Sequence, residues 1–120
     1  MFKTTKIRVG TSLYTVEACG ANILQGKAGL TDGNAKTIKL NAETNVHKHA
    51  NEILDTLIHE TLHTIFMERD LENTLNISYE LHEKIVTQLA IGLTGVIVDN
   101  PPLMKDINSL AAKTRKALDI

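Results

Sequence analysis

Aromatic side chains are nearly missing from this chain: two Tyr, two Phe and no Trp in 120 residues. So few rings cannot supply the stacking platforms that single-stranded nucleic acid requires. A surplus of positive charge is also missing. Thirteen Lys and Arg stand against 14 Asp and Glu, for a net charge of −1, and no basic block stands out. The electrostatic footprint of a nucleic-acid binder is therefore not there. Cysteine occurs once, at Cys19, which excludes an internal disulfide and a thiolate zinc site. Cys19 reads as a small apolar side chain in a strand. No apolar run approaches the roughly 20 residues of a membrane span. The opening "MFKTTKIRVG" has no apolar core of a signal peptide. The expectation is a cytoplasmic protein that engages neither nucleic acid nor membrane.

The chain is 42% hydrophobic and 22% charged, the balance of an ordinary globular protein. Its length suits one domain, taken as residues 1–120. "KIRVGTSLYTVEAC" alternates, and predicts two short strands around Gly10. "AGLTD" reads as a further short strand, Asp32-Gly33-Asn34 as a turn, and "TIKLN" as the next strand. The spacing then becomes helical. Ala50, Ile53, Leu54, Leu57, Ile58, Leu62, Ile65 and Phe66 mark a helix to about residue 70, with Asn45 or Asn51 as its cap. "DLENTLN" reads as a polar connection. A second helix covers about 78–98, stopped by "DNPP", and an amphipathic helix covers about 103–118. Strands followed by helices define an α+β fold: an antiparallel or mixed sheet of three to four strands packed on the first helix, with two more helices.

The first helix contains "TLIHETLH", residues 56–63. His59 and His63 are four apart, one turn on one face, so both imidazoles can reach one metal ion. Glu60 is rotated by about 100° from His59. It is placed to act on a water that the metal activates rather than on the metal. A helical wheel sets the two histidines about 160° from the centre of the helix's own apolar face, so they are not the core histidines of that face. Glu60 is the lone charged residue between 56 and 66. A solvated face usually carries Lys, Glu and Arg, whereas a half-buried ligand face excludes spare charge. The pattern predicts a metal site.

"TLIHETLHTI" resembles the signature of zincin metallopeptidases. The wider chain resembles small phage and prophage zincins of the gluzincin type, through "TIKLN", "TLIHETLH", "EKIVTQLAIGL" and "DNPPL", over about residues 6–103. The resemblance implies zinc, a peptide or protein substrate, Glu60 as general base, and a third ligand on a downstream helix at Glu83. The metzincin extension does not apply, because Phe66 and Arg69 stand where it needs Gly and His. On the wheel of the second helix Glu83 flanks the apolar face, His82 lies nearer its middle and Glu80 points away. "YELHEK" thus leaves His82 and Glu80 as alternatives to Glu83, and His82 could instead be a supporting or core histidine.

Tyr79, His82, His47 and His49 are candidate donors to a developing oxyanion. "AGLTD" or "TIKLN" is expected to be the edge strand that pairs with extended substrate. Two other readings compete with hydrolysis. One is a zinc-binding phage or prophage regulatory or structural protein without peptidase activity. The other is a metal-free protein-binding domain in which the motif is coincidental. Nothing in the sequence fixes an oligomeric state.

Overall fold

A computed structural model of the chain describes residues 5–20, 24–41 and 50–119. Strands β1 (Lys6–Val9) and β2 (Ser12–Cys19) form an antiparallel hairpin in which Val9 faces Ser12. The two-residue loop between them begins at Gly10, whose φ of +60° suits the glycine that opens a tight hairpin turn. Strands β3 (Gly29–Asp32) and β4 (Thr37–Asn41) form a second antiparallel pair. Asp32 closes the turn between them: its Oδ1 accepts the N–H groups of Asn34 at 2.9 Å and Ala35 at 3.0 Å. Asp is suited to this because its short side chain can bond the backbone two or three residues on.

The two hairpins join through a parallel β2–β4 pairing that runs from Thr15–Thr37 to Cys19–Asn41. The resulting sheet is mixed, in the order β1-β2-β4-β3. "TIKLN" is therefore an interior strand with partners on both sides, and the role of edge strand beside the helices falls to β3. Tyr14 and Val16 on β2, with Ile38 and Leu40 on β4, share one face by the two-residue period. They form the buried core, and Leu57 packs against it.

Four helices follow among the described residues: α1 (Ala50–Glu68), α2 (Leu71–Leu75), α3 (Tyr79–Asp99) and α4 (Pro101–Ala117). The sheet followed by helices is the expected α+β order. Asn51 lies inside α1 rather than at its cap, and Asn45 lies outside the described residues. The "polar connection" contains the one-turn α2, bracketed by Asp70 and Asn76 in the left-handed region at φ 50° and 52°. Asp and Asn are the non-glycine residues that tolerate that conformation best. Asp70 also explains why α1 stops short of residue 70.

Ser78 caps α3 by accepting the N–H of Leu81 at 3.1 Å. Along α3 the buried residues are His82, Val86, Ala90 and Thr94. This four-residue spacing makes one ridge, and α1 is the main packing partner of α3. Pro101 and Pro102 end α3 as expected but open α4 instead of preceding it, because the first turn of a helix has no hydrogen bond for proline to remove. No described residue of α4 is buried.

One expectation is revised. An 18-residue window of α3 has mean hydropathy 1.3, so this helix is, by length and composition, apolar enough to cross a membrane. Only 17% of that window is buried.

Candidate metal centre

α1 buries polar residues as well as Phe66. Glu60 is 6% exposed, His63 7% and Thr64 0%, while Ile65 on the same helix is 36% exposed. α1 lies between the sheet and α3, so the face that its own apolar pattern leaves out is covered by β3 and by the first turns of α3. Buried polar groups are costly unless paired, and each of these has partners.

His59 and His63 come together as the four-residue spacing requires, with their Nε2 atoms 3.2 Å apart. Glu83, one turn into α3, places Oε1 3.0 Å from His63 Nε2. Two donors on one tetrahedral ion, each about 2.0–2.1 Å from it, stand about 3.3 Å apart. Both measured separations fall near that value. Glu60 is set back, with Oε2 4.0 Å from His59 Nε2. His59, Glu60 and His63 form a group whose ligand atoms all lie within 4.8 Å of one another and could hold a metal ion. Glu83 adjoins this group on its His63 side.

Glu60 turns toward the sheet, where Thr31 Oγ1 on β3 donates to its Oε1 at 2.8 Å. The close approach of strand and helix depends on Gly29. A Cβ there would lie 2.9 Å from Glu60 Cγ and 3.2 Å from the Lys39 carbonyl oxygen. An isolated glycine in a strand marks such an approach, and this signal in "AGLTD" identifies a site residue that motif reading passes over. Thr31 carries no local signal; only the fold brings it to Glu60.

His82 is 2% exposed and stands behind His63, away from the side that Glu83 occupies. Its Nε2 lies 3.0 Å from His63 Nδ1, and its Nδ1 lies 2.5 Å from Glu72 Oε2. The His82 ring stacks on Phe66, with centroids 4.3 Å apart and planes 7° off parallel. Glu80 takes no part: its side chain is 81% exposed and pairs with Lys84. Tyr79 is mostly exposed but lines the same pocket of about 190 Å³ as Lys27, Thr31, Glu60, His63 and Glu83. His47 and His49 lie outside the described residues.

The electrostatics follow from burial. Removal from water lowers the His63 imidazole to about 4, with Glu83 opposing and His59 and His82 reinforcing the fall. The ring is therefore neutral near pH 7, as a metal ligand must be. Burial raises the Glu60 carboxyl above its ordinary value, partly offset by the Thr31 hydrogen bond and by His59. Partial burial, and after it Glu83, raise the Tyr79 phenol.

The donor set fits a metal: two imidazole nitrogens and a carboxylate converge, with a second carboxylate beside them. No protein-family model, curated protein or solved structure matches this chain. The site's chemistry therefore rests on its own geometry.

Proposed function

We propose that the chain is a zinc-dependent peptidase, with His59, His63 and Glu83 as metal ligands and Glu60 as general base. The observation that carries this reading is the spacing of the polar atoms. His63 Nε2 lies 3.2 Å from His59 Nε2 and 3.0 Å from Glu83 Oε1, two separations suited to sharing one small ion, and Glu60 Oε2 is set back 4.0 Å from His59 Nε2. Nitrogen and carboxylate donors in this number suit zinc, and three protein ligands leave a position open, as catalytic rather than structural sites do. A bound zinc would supply Lewis acidity and a water acidified to a pKa of about 7.

The remaining steps belong to the protein. Glu60 takes up a proton at its carboxylate and returns it to the leaving amine. Its raised pKa brings it closer to the working pH, where a general base is most effective. Thr31 holds one Glu60 oxygen and leaves the other free to accept. Tyr79 stands at the pocket wall as a donor for oxygen charge that develops on the carbonyl. The outer edge of β3 offers backbone groups to an extended peptide. A second pocket shares Lys27, Gly29, His59 and Glu60 with the first, which gives such a peptide room on both sides of Glu60.

Purified protein should contain zinc near one equivalent by elemental analysis and should cleave members of a peptide library. Glu60→Gln should keep the metal and lose at least about a hundredfold in turnover, the lower range for a lost proton-transfer group. Protein without stoichiometric metal, or a Glu60→Gln variant as active as wild type, would sink the proposal. The small pocket favours one competing reading, a metal-binding regulatory or structural protein without hydrolysis. Wild type that holds zinc and cleaves nothing in the library would establish that reading instead.

A further inference from the structure

The hydrogen bonds behind His63 have a direction. The Glu72 carboxylate can only accept, so the His82 Nδ1 facing it at 2.5 Å carries the hydrogen. In a neutral imidazole the other nitrogen is then an acceptor. With the His82 ring neutral, its Nε2 accepts, and its partner at 3.0 Å, His63 Nδ1, donates. His63 Nε2 is left as a lone pair on the side where His59 Nε2 and Glu83 Oε1 lie, at 3.2 Å and 3.0 Å. A lone pair and a carboxylate oxygen at that distance are two acceptors, and a cation between them resolves the conflict. One carboxylate at the far end thus sets the tautomer of two rings and presents the correct nitrogen to a metal.

We propose that Glu72 and His82 are positioning residues of the metal centre, forming a Glu72–His82–His63 chain that fixes His63 as an Nε2 ligand. This rests on the zinc-site reading above and does not require hydrolysis. Three features make the chain a built one. His82 is 2% exposed, so water does not compete for its nitrogens. Phe66 stacks on the ring at 4.3 Å and fixes its plane, and Tyr79 meets it edge-on at 5.6 Å. Glu72 is delivered by α2, whose two left-handed brackets, Asp70 and Asn76, set the direction of that single turn. The connection between α1 and α3 is therefore part of the site. Without Glu72, His82 is free to adopt the opposite tautomer. Its Nε2–H would then donate to His63 Nδ1 and place the His63 hydrogen on the ligating nitrogen.

Two measurements test this. Zinc affinity is read by competition with a chromophoric chelator at fixed pH. Glu72→Ala should bind zinc about 10- to 100-fold more weakly, the range for outer-shell partners of a metal ligand, and Glu72→Asp should recover most of the loss. Long-range 1H–15N correlation on zinc-loaded wild type should find hydrogen on Nδ1 of both His63 and His82, with His82 Nε2 bare. A protonated His82 Nε2 in that spectrum overturns the proposal, even if Glu72→Ala fails to fold. So does a Glu72→Ala variant that binds zinc as tightly as wild type. Zinc binding that survives His59→Ala would instead overturn the metal centre itself, and the chain with it.

Discussion

At its amino-terminal end α3 buries His82 and holds it through Phe66, His63 and Glu72, which lie on α1 and α2. Past Asn100, α4 buries none of its described residues and leaves Leu103, Ile107 and Leu110 at 44%, 46% and 60% exposure. The histidine cluster is enclosed, while the amphipathic α4 leaves its apolar side chains open. An exposed Leu is common and costs little singly, whereas an enclosed imidazole persists only where its nitrogens are satisfied. Around the histidines, burial therefore follows the hydrogen-bond network, whereas in the sheet it follows the apolar core.

Breaking the enclosed end at its metal-facing edge should have the largest effect. His59→Ala should weaken zinc binding by more than the roughly 100-fold upper range expected of an outer-shell residue, while its metal-free melting temperature changes little because the ring is only partly buried. For wild type, zinc at about 100 times its dissociation constant should raise stability by about 2.7 kcal/mol. Differential scanning calorimetry with and without zinc reads both.

On stability alone, Phe66→Ala should have the largest effect, because it removes the stacking partner of His82. A buried Phe truncated to Ala costs about 3–5 kcal/mol, measurable by urea denaturation. The same measurement on Leu110→Ala supplies the contrast at the open end. It should fall within about 0.5 kcal/mol of wild type, as exposed substitutions usually do, and is the smallest effect expected.

Between these lies a pH effect on the metal-free protein. His63 titrates near 4 when folded and near 6.5 when unfolded. Between those values the unfolded chain binds the extra proton, so stability falls as pH drops from about 6.5 toward 4. Glu60 acts in the opposite sense. Its folded pKa is raised above 4.5, so the folded state gains the proton first as pH falls. The decline should therefore be steeper in Glu60→Gln than in wild type, in melting temperatures taken from pH 7 to pH 4. Parallel profiles would remove Glu60 as a contributor, and a wild-type profile flat from pH 6.5 to pH 4 would remove His63.

What could be read from the chain in advance follows the range of the interactions. The alternation around Gly10, the Asp32 turn and the helical spacing from Ile53 are local, and the sheet and helices they predict are present. His59 and His63 share one turn, so their convergence is a property of one helix. Glu83 came from resemblance and wheel position, and the fold sets it 3.0 Å from His63. Glu72 sat in what reads as a polar connection, and only the left-handed residues around α2 aim it at His82. The interior place of "TIKLN" follows from a parallel pairing with β2, which no local pattern encodes. The membrane-length window in α3 was hidden by the charged and polar residues of its first turns, and it emerges once the helix bounds are known.

The Asp32 turn has a bearing on inheritance of function through folding. It sets which residue of β3 lies opposite Ile38, and that residue is Thr31. Slipping the pairing by one position would turn every β3 side chain to the other face. Glu60 would then meet Leu30 or Asp32 in place of a hydroxyl. Such a chain could keep its helices, its core and both histidines, and still lack the hydrogen bond that orients its carboxylate. The orientation of the site's carboxylate thus depends on how a short loop closes, far from any histidine in sequence.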